Sequence, residues 1–244
     1  MDYKQVWWIT GASTGFGLHL MNGLLQNGQR VAAVLQERES LQDLIQGLSV
    51  GNAQEDARGV QKAAGVFQET TEEIFLPLTA DFTNEDSVRD AVQQTIRQFG
   101  KIDVVVNYAG YDLPAPIDTL TECQIQQYFE ENVFSTYYAL KHIVPYLREQ
   151  GSGMILNFSS EAVVAAAARS TLYKATKLAI ESLTGELTEG VEALGIQQTF
   201  IGPGSVLQPQ RPQHDHHEKA FKNNCMGASE KWALHQRVSR AAWA

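Results

Sequence analysis

The chain has 244 residues, with 19 Lys and Arg against 28 Asp and Glu, a formal charge of −9. That length accommodates one large domain or two small ones and buries roughly 70–75% of the unfolded surface. A composition of 43% apolar and 19% charged residues excludes a disordered chain, and an acidic balance without a long Lys/Arg stripe excludes nucleic acid as the main partner.

In chain order, short apolar runs alternate with longer amphipathic ones. Val6-Trp7-Trp8-Ile9, Val31-Ala32-Ala33-Val34, Ile74-Phe75-Leu76, Val104-Val105-Val106, Met154-Ile155-Leu156 and Thr199-Phe200-Ile201 read as buried strands. Apolar runs without polar alternation suit a parallel sheet covered on both faces. A helix is predicted over Asn84 to Phe99, where Val88, Ala91, Val92, Ile96 and Phe99 recur at helical spacing. Thr83 with Asp86 reads as its capping box and Gly100 as its stop. A longer helix is expected from Ile125 to Leu147, apolar around much of its circumference through Tyr128, Phe129, Val133, Tyr137, Leu140 and Ile143. One face would cover the sheet, and the remainder points to contact between subunits. Repeated strand–helix–strand units predict a doubly wound α/β fold of Rossmann type, a single domain with six or seven strands.

Two stretches break the alternation. Gly51 to Gly65 is polar and rich in small residues, and reads as an inserted loop or a lone helix. Gln208 to Asn224 carries three Gln, two Pro and three His, and reads as a mobile loop. Within it, His214-Asp215-His216-His217-Glu218 reads as a solvated polar run, so no metal site is expected. The longest apolar run, Ala162 to Ala168, is too short to span a bilayer, so no membrane partner is expected. Cys123 and Cys225 provide neither a disulfide framework nor a zinc ligand set. Gln5 to Thr10 runs straight into a glycine-rich turn, not an export signal, and the expectation is a soluble, cytoplasmic protein.

That turn, Thr10-Gly11-Ala12-Ser13-Thr14-Gly15-Phe16-Gly17, lies between the first strand and a helix beginning near Phe16. Glycines there permit a tight turn and close approach of a pyrophosphate to a helix N-terminus. Further motifs follow in order: Asp81-Phe82 after the third strand, Asn107-Tyr108-Ala109-Gly110 after the fourth and Asn132 within the long helix. Ser160 then follows the fifth strand, Tyr173-Lys174-Ala175-Thr176-Lys177 stands thirteen residues later, and Pro203-Gly204 follows the sixth. The chain resembles the short-chain dehydrogenase/reductase family over about residues 5 to 207. It matches that family's TGxxxGxG turn, NNAG segment, active-site Asn, Ser, YxxxK pair and PG motif.

The resemblance implies a nicotinamide-dependent oxidoreductase acting on a carbonyl or alcohol substrate. Tyr173, Lys177, Ser160 and Asn132 would be its catalytic set. Gly11, Ser13, Thr14, Gly15, Phe16, Gly17, Gln36, Arg38, Asp81, Phe82, Asn107, Ala109, Gly110, Tyr173, Lys177, Pro203, Gly204 and Val206 would hold the cofactor. Tyr173 and Lys177, at i and i+4, share one helix face. A phenol titrates near 10, and a neighbouring ammonium favours its ionised form, as proton exchange at neutral pH requires. Ser160 would bond the substrate oxygen, and Asn132 would hold a water linking Lys177 to solvent. The alternative is a catalytically silent dinucleotide-binding regulator on the same fold.

Cofactor choice is read at the end of the second strand, Leu35-Gln36-Glu37-Arg38. No acid stands at the strand end to bind a ribose 2′-hydroxyl, and Arg38 or Ser13 could meet a 2′-phosphate, so NADP(H) is expected over NAD(H), although Glu37 argues the other way. Tyr108 replaces the second Asn of NNAG and is expected to add bulk beside the adenosine wall. Gln208 stands where the family often has Thr. A homodimer or homotetramer is expected, as in the family, with a small carbonyl or alcohol as the only other partner.

Overall fold

A computed structural model describes residues 4–13, 15–36, 71–110, 117–158 and 171–202. The strands are β1 (Val6–Thr10), β2 (Arg30–Gln36), β3 (Phe75–Ala80), β4 (Val104–Asn107), β5 (Gly153–Phe158) and β6 (Ile196–Ile201). The helices are α1 (Gly15–Gln26), α2 (Thr71–Ile74), α3 (Glu85–Phe99), α4 (Glu122–Phe129), α5 (Ser135–Gln150) and α6 (Thr171–Val191). All six strands are parallel, in the order β3-β2-β1-β4-β5-β6. The six apolar runs of the sequence are these six strands. Ile74 is the exception, closing α2 instead of opening β3.

Because successive side chains of a strand point to opposite faces, the apolar runs of β1 to β5 feed two cores. The run in β6, expected to be buried, has Thr199 and Phe200 exposed and only Ile196 buried, because β6 stands at the end of the described sheet. Val6, Trp8, Ala32, Val34, Val105 and Ile155 join α3 and α5 on one face. Ile9, Val31, Ala33, Leu35, Val104 and Val106 join α1 on the other. On α3, Val88, Ala91, Val92, Thr95 and Phe99 are buried, as the helical spacing requires. Gly100 ends that helix in the left-handed conformation, at φ 78°.

The start of α3 differs from the expected capping box. Asn84 caps the helix, its Oδ1 accepting from the Asp86 and Ser87 amides. Thr83 is drawn off, because its hydroxyl donates to Asp81 at 2.7 Å. The long helix differs too. A five-residue π-helical turn, Glu130–Phe134, divides α4 from α5, and the whole runs from Glu122 to Gln150.

Opposite the carboxyl ends of the strands, the sheet is closed by Asp103. Its Oδ2 accepts from the Val6 amide at 2.7 Å and meets Lys101 Nζ at 2.9 Å, while its backbone bridges Val6 and Met154. The carboxylate is buried, so these partners offset a desolvation cost of several kcal/mol.

Candidate active site

The strand order reverses between β1 and β4, and this crevice is where open α/β sheets receive ligands. The glycine turn follows β1 at this crevice and leads into α1, which begins at Gly15. The first amides of a helix have no partner within it and suit an anion. The turn is held by backbone contact. A Cβ on Gly11 would stand 2.9 Å from the Ala109 nitrogen, and one on Gly17 would overlap the Gly11 carbonyl oxygen. The Thr10 hydroxyl donates to the Val106 carbonyl and accepts from the amides of Tyr108 and Ala109 at 3.2 Å. Turn and β4 exit are thereby one unit, packed backbone to backbone where Gly11 meets Ala109 and Gly17 meets Gly11, and leading into a helix start of the kind that receives a pyrophosphate.

Three of the expected catalytic side chains meet beside this unit. Asn132 occupies the π-helical turn and is fully buried, its Nδ2 donating to the Tyr128 carbonyl at 3.0 Å. Its Oδ1 faces Gly110, where an added Cβ would lie 2.8 Å away. The same Cβ would lie 3.3 Å from Lys177 Nζ, so the amide oxygen and the ammonium converge on one glycine, whose φ of 146° is itself unfavourable to other residues. Lys177 reaches in from α6 and sits 5.3 Å from the centre of the Tyr173 ring, one turn earlier. Only 4% of Lys177 is exposed, and burial alone lowers its pKa from 10.5 to about 8.

Two hydrogen bonds of Ser135 close the turn that carries Asn132. Its closing amide, Ser135, donates five residues back to Glu130, and the Ser135 hydroxyl donates to the Glu131 carbonyl at 2.8 Å. An extra residue in a helical turn re-aims side chains and recurs at functional sites. Burial and the charges of Glu131 and Asp81 push the Glu130 carboxyl up.

On the β2–β3 side, Gln36 ends its strand opposite Ala80, which puts it beside Asp81. Asp81 is partly committed: its Oδ1 accepts from the Thr83 amide and hydroxyl, and its amide donates to Ser87 Oγ. Phe82 is 4% exposed and packed into the α3 core, so its side chain serves the core; only its backbone could contribute to a ligand site. Asn107 points inward, its Nδ2 donating to Asn157 Oδ1 at 2.8 Å, while Asn157 Nδ2 reaches Thr184 Oγ1 on α6 at 3.4 Å. Ala109 packs on the α3 side, and Ser13 lies in the turn. Thr14, Arg38, Ser160, Pro203, Gly204 and Val206 lie outside the described residues, as do Gln208 and the segments 51–65 and 208–224.

Tyr108 joins a cluster of aromatic rings. Its ring lies 5.6 Å from Phe16 and 5.3 Å from Phe158, with Phe16 and Phe158 5.1 Å apart. The three rings come from α1, the β4 exit and the end of β5, and pack on the α1 face of the sheet. Phe158 and Thr10 were not among the expected site residues. The aromatic at 108 was the signal for the former, and the fixed Thr before the glycines for the latter.

A family model described as short chain dehydrogenase matches residues 46–219. Oxidoreductase BOA17 of Botryotinia fuckeliana is 29% identical over 202 residues, 83% of this chain and 66% of that protein. An uncharacterized oxidoreductase of Schizosaccharomyces pombe is 38% identical over 124 residues, 51% of this chain and 52% of that protein. This chain thus spans between half and two thirds of the length of these relatives. Among solved structures, a short-chain dehydrogenase from Streptomyces avermitilis superimposes with a TM-score of 0.69 at 25% identity, covering 85% of this chain and 68% of that one.

Proposed function

The chain belongs to the short-chain dehydrogenase family, and on that premise we propose that it is a nicotinamide-dependent oxidoreductase of carbonyl reductase or alcohol dehydrogenase type. The observation that carries this reading is the convergence of Asn132 Oδ1 and Lys177 Nζ on Gly110, with Tyr173 beside the ammonium. The bound dinucleotide would supply the hydride. The backbone amides of the turn and the start of α1 would hold its phosphates, with Gln36 and Asp81 at the adenine end. Tyr173 gives or takes the proton at the substrate oxygen, and the Lys177 charge favours the ionised phenol. Asn132, fixed by Tyr128 and the π-helical turn, would hold a water next to Lys177 and so route protons outward. Ser160 completes the set by orienting the substrate oxygen.

The phosphorylated dinucleotide is the proposed preference, because β2 ends on Gln36 with no acid to repel a 2′-phosphate. Self-association is part of the reading. Phe134, Tyr137 and Leu183 are 42%, 45% and 52% exposed along the α5–α6 side, which favours a homodimer or homotetramer. Light scattering after gel filtration should give two or four times the mass of one chain. Among the described residues no helix is long and apolar enough to cross a membrane, and a cytoplasmic location goes with the sparse cysteines.

The deciding experiment is oxidation of NADPH and NADH in parallel across a carbonyl panel, repeated with Tyr173→Phe. Turnover is expected to fall about 1,000-fold in the variant while the dinucleotide still binds. Full activity in the variant would sink the mechanism. Dinucleotide binding without turnover on any carbonyl would return the protein to the silent-regulator reading, which the assembled Asn132, Tyr173 and Lys177 oppose.

A further inference from the structure

The residue at which the chain departs from its family's NNAG pattern, Tyr108, is not accounted for by the chemistry above. We infer that Tyr108 is a positioning residue for the nicotinamide half of the cofactor, locking Phe16 and Phe158 into a preformed three-ring floor beside the crevice. The inference rests on the reading that the chain binds a nicotinamide dinucleotide.

Placement is the first ground. A dinucleotide laid across the crevice has its adenine half on the β1–β2–β3 side, where Gln36 and Asp81 stand, and its other half on the β4–β5 side. Tyr108 and Phe158 belong to the second half by their strands, while Phe16, on the helix that joins β1 to β2, stands where the two halves meet; all three pack on the α1 face of the sheet. Phe158 is the last residue of β5, Tyr108 follows the last residue of β4, and Phe16 lies in the first turn of α1. Phe16 and Phe158 form the closest pair, and Tyr108 braces both of them from the β4 exit.

The second ground is geometry. The pairs are tilted at 52° and 47° and edge-on at 90°, arrangements that aromatic rings favour over face-to-face stacking. Phe158 is 7% exposed, whereas Phe16 and Tyr108 are half-buried and keep surface available to a flat apolar ring. An Asn at 108 could not hold either phenyl ring in place.

The third ground separates this role from a structural one. The backbone at Tyr108 and Ala109 is already fixed by the Thr10 hydroxyl and by contact with Gly11. Removing the ring leaves those bonds intact, so the pyrophosphate cradle and the adenine end should survive.

Calorimetric titration tests this with NADPH, NADH and ADP on the unaltered protein, Tyr108→Phe, Tyr108→Leu and Tyr108→Ala. Tyr108→Ala is expected to weaken the preferred reduced dinucleotide about tenfold, while ADP changes less than twofold. Tyr108→Phe should bind both like the unaltered protein, with Tyr108→Leu between. If Tyr108→Ala fails to fold, Tyr108→Leu is read by the same rule. Equal losses for dinucleotide and ADP, or no loss for the dinucleotide, overturn the inference. If the unaltered protein binds ADP but neither reduced dinucleotide, the underlying reading fails and the inference falls with it.

Discussion

The two ends of the sheet each bury a charged group, and they treat it in opposite ways. At the closed end, Asp103 is met by Lys101 and by the Val6 amide, and its backbone ties β1 to β5 across the start of β4. At the open end, Lys177 is buried with no opposing carboxylate among the influences on it, and desolvation alone drives its pKa down to about 8. The first arrangement spends polar groups on holding the fold. The second leaves a charge without a carboxylate partner among the described residues, beside a crevice where a perturbed pKa is of use. Stability and chemistry are thus separated along the strand axis, by the length of a few residues of β4.

This contrast can be tested from its strongest point downward. Lys177→Met should reduce turnover about 1,000-fold and yet stabilise the fold at pH 7, by up to about 3 kcal/mol. The sign follows from the depressed pKa. Between pH 8 and 10.5 the unfolded chain binds more protons than the folded one, so stability of the unaltered protein rises with pH across that window. Chemical denaturation over pH 7–10.5 should show that slope, and Lys177→Met should abolish it. A less stable variant with the slope intact would break the contrast.

Gly110→Ala comes next, since its methyl would press on both Asn132 Oδ1 and Lys177 Nζ. A loss of about 100-fold in kcat is expected, with a stability cost of about 1–3 kcal/mol from strain. Asp103→Ala should do the reverse. It orphans the Val6 amide and the Lys101 charge, costing about 2–4 kcal/mol and lowering Tm by about 5–10 °C, while kcat at 25 °C stays within twofold. Parallel loss of kcat and Tm there would show the two ends to be coupled.

The smallest effect is expected from Glu85→Gln on the surface of α3. Glu85 pairs with Lys141 at 2.7 Å and His142 at 3.0 Å on α5, and the Lys141 hydrogen bond leads in holding its carboxyl below the usual range. Its contribution is present above that range and lost as pH falls through it. Because the group is solvent-exposed, the Tm change should stay within about 2 °C and vanish in high salt.

The sequence revealed most where residues act through periodicity. Six short, mostly apolar runs alternating with amphipathic stretches read as strands of a two-sided sheet, and residues at i and i+4 in a helix, as Tyr173 and Lys177 are, share one face. Competition between neighbours was less visible. Thr83 and Asn84 are both good caps, and which one serves depends on Asp81 claiming the Thr hydroxyl, a contact outside any spacing rule. The π-helical turn was hidden because one extra residue barely disturbs an apolar pattern that already runs around the helix. The rings that Tyr108 packs against were not visible in the sequence, since position in a motif says nothing about which way a side chain leaves the backbone. The inward turn of Asn107 toward Asn157 and Thr184 was hidden for the same reason.

The π-helical turn sets a rule for how this gene can change. In a regular α-helix each residue added or taken rotates everything beyond it by about 100°, but a π-helical turn absorbs one extra residue locally. Loss of a single codon within Glu130–Phe134 would let the segment close as ordinary α-helix with Ala139, Leu140 and Ile143 still facing the core, yet it would remove the turn that aims Asn132 at Gly110. Point substitutions on the outer face of this stretch, such as at Phe134, leave that turn untouched. Functional variants should therefore differ here in spelling but never in length.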